Sequence, residues 1–232
     1  MNEIPITEGG FILMNKPKHW TSFDVVKKLR NISQIKKIGH AGTLDPLATG
    51  VLIVCYGKYT KKIEEMQAKR KTYTGTFELG KTTPSFDLET AVDAEYPIEH
   101  ITPELVEKTL DQFRGEIDQV PPQHSAVKVN GKRAYEHARK GKEVVLKVRK
   151  AEIFRYEVDY SNFPTLSFEI ECGKGTYIRS LARDLGVALQ SGAYMSSLVR
   201  TSIGPYSIDK TIDIEALKSQ EDFFENAHQL GN

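Results

Sequence analysis

Apolar positions change period along the chain, and the changes mark its elements. Gly10-Phe11-Ile12-Leu13-Met14 is an unbroken apolar run ending at Asn15-Lys16-Pro17, which predicts a short buried strand closed by proline. Thr21-Ser22-Phe23-Asp24 has the form of a capping box, with Thr21 as N-cap, and opens a helix to about Arg30 or Asn31. Residues 38–50 are rich in Gly, Thr, Asp and Pro without helical period and read as a loop. Val51 to Tyr56, bounded by Gly50 and Gly57, reads as a fully buried strand. Lys58 to Ala68 reads as a basic helix. Thr72 to Leu79 alternates Tyr73, Gly75, Phe77 and Leu79 against Thr72, Thr74, Thr76 and Glu78, the mark of a half-buried strand. Thr102-Pro103 opens a helix through about Phe113, and Pro121-Pro122 breaks it off from the downstream chain. Asn130-Gly131 predicts a hairpin turn after Ala126 to Val129. Strands near 144–158 and 166–172 flank a turn at Ser161 to Pro164. Ile178, Leu181, Ala182, Leu185, Ala188 and Leu189 keep helical spacing within Thr176 to Leu189. These elements predict an α+β fold, with a mixed, mostly antiparallel sheet flanked by helices and loops.

Composition narrows the class. The 232 residues, 39% apolar and 27% charged, can fill one core, so we expect a single domain over 1–232 rather than a disordered chain. No uncharged apolar run approaches the roughly 20 residues that cross a bilayer. Met1 to Gly10 carries Glu3 and Glu8 and no basic segment, unlike a secretory signal. Two cysteines, Cys55 and Cys172, cannot build a disulfide framework, and a reducing cytoplasm is the economical expectation. The net charge of +1 conceals segregation: residues 1–71 carry +7, 72–122 carry −8, 123–150 carry +7 and 151–232 carry −5. Two basic blocks could form a positive face for a polyanion, or simply decorate solvated helices.

Several familiar sites are missing from the sequence. It contains no phosphate-loop, dinucleotide, zinc-protease or nucleophile-elbow pattern. Six scattered histidines offer no metal-ligand spacing. Cys172-Gly173-Lys174-Gly175 could hold an anion at a helix start, or be a tight turn. The segment Gly39-His40-Ala41-Gly42-Thr43-Leu44-Asp45-Pro46-Leu47-Ala48-Thr49-Gly50 gathers polar groups directly before a buried strand, where a carboxylate would be rigidly held. Asp-Pro and glycine also make ordinary turns, so chemistry and turn geometry both remain open for this segment.

The run from Gly39 to Leu52 resembles the catalytic-loop signature of the TruB family of transfer-RNA pseudouridine synthases. Further stretches resemble other elements of that family in the same order: Asn15-Lys16-Pro17, Lys71-Thr72-Tyr73, Gly175-Thr176-Tyr177-Ile178-Arg179, and Leu198-Val199-Arg200, where valine replaces an arginine. Pro121 to Lys128 followed by Gly131 to Tyr135 resembles another segment, so the resemblance spans roughly residues 10–205.

The resemblance implies a pseudouridine synthase fold and isomerisation of uridine 55 in the T-loop of transfer RNA, with no cofactor and no metal. It implies Asp45 as the essential carboxylate and Arg179 as the cation keeping it ionised. Arg179 could instead be a surface residue pairing with Asp184. Tyr177 would orient the carboxylate or contact the sugar, or merely close the sheet. Tyr73 would stack on the extruded base, or be a core aromatic; Leu198 would wall the pocket. His40 would fill the space left by extruded nucleotides. Lys16 and the clusters Lys58-Lys61-Lys62, Lys69-Arg70-Lys71 and Lys128-Lys132-Arg133 are candidates for phosphate contacts. The expected partner is the T-arm stem-loop of transfer RNA, with no membrane and no obligate protein partner, the chain acting as a monomer. A transfer-RNA-folding chaperone that opens the T-loop, or a base-excising glycosylase, would use the same residues. The chain ends about thirty residues after Arg200, too few for the PUA-type domain that many family members carry, so that domain is expected to be absent.

Overall fold

Alternation within two strands explains the core of the first half of the molecule. The computed structural model describes residues 9–228 apart from 126, 130, 139, 140 and 143. Strand β1 (Gly10–Lys16) lies antiparallel to β3 (Thr49–Tyr56), Gly10 opposite Tyr56 and Lys16 opposite Gly50. Successive side chains of a strand point to opposite faces. Ile12, Met14, Leu52, Val54 and Tyr56 therefore pack with Val25, Val26 and Leu29 of α1 (Ser22–Ser33). Phe11, Leu13, Val51, Ile53 and Cys55 pack on the other side with Met66 and Ile203. Helix α1 is opened by the expected box: Thr21 Oγ1 accepts from Asp24 N–H at 3.1 Å and Asp24 Oδ2 accepts from Thr21 N–H at 2.8 Å.

The predicted loop 38–50 is only partly a loop. Ile38–Ala41 forms a short strand, β2, antiparallel to β3 with His40 opposite Val54. Four residues containing Gly39 and His40 are too few and too weakly apolar to show a period. The predicted helix 58–68 is a 3-10 segment over Gly57–Lys62 followed by α2 (Ile63–Ala68). Lysines oppose the positive end of a helix dipole whereas Glu64 and Glu65 suit it, so the α-helix begins at Ile63. Strand β4 (Lys71–Leu79) follows.

The chain continues through the short strands β5 (Lys81–Thr82) and β6 (Ala94–Glu95) to α3 (Pro103–Leu110), capped by Thr102. Next come β7 (Gly115–Gln119), the small hairpin β8 (Lys128–Val129) and β9 (Lys132–Arg133), and α4 (Ala134–Ala138). Asn130, expected in that hairpin's turn, lies outside the described residues. Strand β10 (Arg149–Asn162) begins five residues later than the pattern predicts. The Gln123 side chain occupies both backbone groups of Val144, with Nε2 donating to its carbonyl at 2.8 Å and Oε1 accepting from its N–H at 3.2 Å. Strand β11 (Thr165–Cys172), α5 (Ile178–Ala188), β12 (Ala193–Ile203), β13 (Tyr206–Ser207), β14 (Ile212–Asp213) and α6 (Gln220–Glu225) complete the order.

Contacts group the chain into two compact units: residues up to Tyr73 together with Leu198 onward, and Thr74–Ser197. In the first, β14 runs parallel to β1, and β12 runs parallel to β3 with Arg200 opposite Gly50. Gly50 has φ +100°, and a Cβ there would collide with the Arg200 backbone, so only glycine permits this approach. In the second unit, β10 lies between β11 and β7, antiparallel to both. Phe77 and Phe168 pack with ring centroids 4.2 Å apart. The result is a mixed, mostly antiparallel α+β architecture. Among the described residues no helix is long and apolar enough to cross a membrane. Both cysteines are buried and form no disulfide with each other, and burial pushes the Cys55 thiol up to about 12.

Leu52 is wholly buried between β1 and α1. Leu52→Ala should lower the unfolding free energy by about 2–5 kcal/mol in urea titration, because the rigid strand cannot collapse into the void.

Candidate active site

The first unit holds Asp45, His40, Lys16, Tyr73 and Leu198, and the second holds Tyr177 and Arg179. In the first unit the segment from Gly42 to Gly50 is fixed by groups on three other elements. Asp45 itself is half-buried, and its carbonyl accepts from Ala48 N–H at 3.1 Å in the turn that leads to β3. His40 is half-buried on β2. Tyr73 and Leu198 are buried, 8% and 7% exposed.

Lys16 departs from the phosphate-contacting role expected of it. Its side chain is wholly buried, and its ammonium donates to the carbonyls of Pro17 at 2.8 Å, Trp20 at 2.6 Å and Pro46 at 3.2 Å. An ammonium has three donors, and these three carbonyls take them all. Lys16 therefore ties β1 to the residue after Asp45. Burial pulls its pKa down to about 8; the Asp45 carboxylate opposes that fall and the Arg200 guanidinium adds to it. Lys71 is likewise buried rather than offered to solvent, donating to the carbonyls of Gln67 and Lys69 at the end of α2. Lys58, Lys61, Lys62 and Arg70 are exposed and Lys69 is half-buried. Lys132 is exposed, while the Lys128 and Arg133 side chains lie outside the described residues.

Two anchors were missed in the sequence. Arg200, 1% exposed, donates from Nε to Val51 O at 2.8 Å and from Nη2 to Gly42 O at 3.2 Å. Ser22, also 1% exposed, accepts from Leu44 N–H at 2.9 Å and donates to Leu44 O at 3.3 Å. A cleft of about 370 Å³ lined by His19, Trp20, Asp24, Lys27, Lys28 and Asn31 adjoins this loop, since His19 N–H donates to Pro46 O at 2.8 Å.

In the second unit Tyr177 is the N-cap of α5, and the buried Gln119 of β7 grips its backbone. Tyr177 N–H donates to Gln119 Oε1 at 2.8 Å, and Gln119 Nε2 donates to Tyr177 O at 3.1 Å. Arg179 is 3% exposed rather than on the surface. It donates to Ser85 O at 3.1 Å and His124 O at 2.9 Å, and its Nε lies 3.5 Å from Asp87 Oδ2, an ion pair too long for a good hydrogen bond. Asp184, the alternative partner, is taken by Arg183 at 2.7 Å. Asp87 follows Phe86, whose φ of +62° is costly for a bulky residue and is held by Met195 N–H donating to Phe86 O at 2.9 Å. No sequence period could reveal Asp87, because an isolated acidic residue in a loop looks solvated. Among the described residues no three His, Cys, Asp or Glu side chains gather as a metal site.

Family models match most of the chain. The model described as TruB family pseudouridylate synthase (N terminal domain) matches residues 30–178, and that of the tRNA pseudouridylate synthase B C-terminal domain matches 179–230. A tRNA pseudouridine synthase B of Bacteroides fragilis is 54% identical over 212 residues, covering 89% of this chain and 91% of the relative. That of Flavobacterium johnsoniae is 50% identical over 214 residues, covering 89% and 93%. The fold is similar to a chain in the crystal structure of a Cbf5-Nop10-Gar1 complex, with TM-score 0.73 and 27% identity, covering 98% of this chain but only 61% of that one.

Two outcomes test this electrostatic arrangement. Asp87→Ala would remove the acid 3.5 Å from the buried Arg179 guanidinium and should cost about 3–5 kcal/mol of stability in denaturant titration. For Lys16 the unfolded chain binds more protons than the folded one between pH 8 and 10.5. Stability of the native protein relative to Lys16→Met should therefore rise as pH climbs through that window, measured by urea unfolding at each pH.

Proposed function

The chain belongs to the TruB family of pseudouridylate synthases, and from that membership we propose that it isomerises uridine 55 in the T-loop of transfer RNA to pseudouridine, with Asp45 as the reacting carboxylate. One observation carries the proposal most: a half-exposed aspartate on a loop whose neighbouring backbone groups are bound to buried side chains. Such rigidity suits a group that must meet a substrate atom in a fixed geometry.

The reaction begins with extrusion of the uridine from its folded loop, at a cost of a few kcal/mol recovered by stacking and pocket contacts. Tyr73 supplies the stacking surface, Leu198 the apolar wall, and His40 fills the vacated space. The C1′–N1 bond breaks, the uracil turns, and C1′ joins C5. N1 gains a proton and C5 releases one, so the nucleotide keeps its composition. No electrons are exchanged with an outside acceptor, and the chemistry requires no cofactor. Arg179, which faces Asp87 in its own unit, and Tyr177 beside it are the second unit's candidates for contacting the nucleotide. The exposed Lys58, Lys61, Lys62 and Arg70, with Lys27 and Lys28 of the cleft beside His19, offer contacts to the RNA backbone. The enzyme acts as a monomer on the T-arm stem-loop in the cytoplasm.

An unmodified transfer-RNA transcript tritiated at uracil C5 tests the proposal. The wild type should release tritium without changing nucleotide mass, while Asp45→Asn should bind RNA and release none. Normal release by that variant, or an abasic product, would overturn the mechanism.

A further inference from the structure

Residues 42, 44 and 46, alternating along the loop that carries Asp45, are each tied from outside it. Gly42 O accepts from the Arg200 guanidinium at 3.2 Å. Pro46 O accepts from His19 N–H at 2.8 Å and from the Lys16 ammonium at 3.2 Å. Leu44 is held at both its polar backbone atoms by one hydroxyl, that of Ser22: 2.9 Å from its N–H and 3.3 Å to its carbonyl. Thr43 is exposed and Asp45 half-exposed, whereas Leu44 is buried. Leu44 is thus turned into the protein, with exposed Thr43 on one side of it and half-buried Asp45 on the other.

We propose that Ser22 is a positioning residue for Asp45, fixing the peptide plane from which the carboxylate is hung. The inference rests on Asp45 being the reacting group. The Leu44 N–H belongs to one peptide plane and the Leu44 carbonyl to the next, and the second ends at the Asp45 Cα. Gripping both fixes the plane that ends at that Cα and so the direction of its N–Cα bond, while the Pro46 carbonyl is gripped beyond it. Ser22 is suited to this because it is the first residue of α1, behind the Thr21 cap, so its own backbone is set by the helix. With Ser22 1% exposed and Leu44 4% exposed, water has little access to replace the hydroxyl. Without it the Leu44 plane turns to find another partner and carries Asp45 along. A displacement near 1 Å at a reacting group costs about 100-fold in rate. Ser22 touches neither the carboxylate nor the substrate in this scheme, so its loss acts on the chemical step alone.

Ser22→Ala, Ser22→Cys and Ser22→Thr in the full chain, assayed for tritium release from C5-labelled transfer RNA well below each variant's melting temperature, provide the test. Ser22→Ala should lower kcat about 10- to 100-fold with KM and RNA affinity unchanged. The near-isosteric Ser22→Cys, a poor hydrogen-bonding group, should follow it, and Ser22→Thr, which restores a hydroxyl, should recover most of the rate. Ser22→Ala with kcat within twofold of wild type would overturn the inference, as would a loss shared equally by RNA binding. Failure of both Ser22→Ala and Ser22→Cys to fold would make Ser22 a determinant of the fold and equally overturn it. Full activity in Asp45→Asn would instead sink the reading of Asp45, a result separable from every Ser22 outcome.

Discussion

Cations buried against main-chain carbonyls hold the first unit in shape. Lys16, Lys71 and Arg200 are all removed from water, yet each donates to backbone oxygens: Lys16 to Pro17, Trp20 and Pro46, Lys71 to Gln67 and Lys69, Arg200 to Val51 and Gly42. A buried charge without partners costs several kcal/mol. That cost enforces the irregular backbone around each one, because any departure from the observed path strands an ion. Regular strands satisfy their own carbonyls; the segment between β2 and β3 cannot, and these side chains do it instead.

The two units use burial differently. In the second, Arg179 faces Asp87 and two carbonyls, so part of its charge is matched by an acid inside the same unit. Gln119 does for Tyr177 what Ser22 does for Leu44, offering one donor and one acceptor to a single residue's backbone. Both are neutral, short-reach devices that hold a residue's backbone without adding charge beside it.

Much of the fold was legible because β1, β3, β4, β11, α1, α3 and α5 carry clean periods or caps. Strand β12 was invisible for the opposite reason. Its interior contains Ser196, Ser197, Arg200, Thr201 and Ser202, satisfied by partners such as Thr76 Oγ1, 2.7 Å from Ser196 Oγ, and Thr72. Strand β7 has a single aliphatic residue, Ile117, and so shows no period. At the site, the Gly39–Gly50 string was conspicuous as a motif, but the supports were not. Arg200 meets Val51 from 149 residues away and Gly42 from 158, a pairing that no local pattern encodes. Ser22 looked like part of a helix cap. Lys16 looked like a phosphate contact because charge in a sequence carries no sign of depth.

The path of the chain has a consequence for biosynthesis. The first unit is assembled from both ends of the polypeptide: β1 needs β14 alongside it, Phe11 exchanges backbone hydrogen bonds with His228 at 2.9 and 2.7 Å, and Arg200 must reach Gly42. A ribosome therefore has to deliver all of Thr74–Ser197 before the strands around Asp45 can close. Until then the loop carrying Asp45 has its supports from Lys16, His19 and Ser22 but lacks Arg200, and the strand edges that β12 and β14 will cover stay open in the nascent chain.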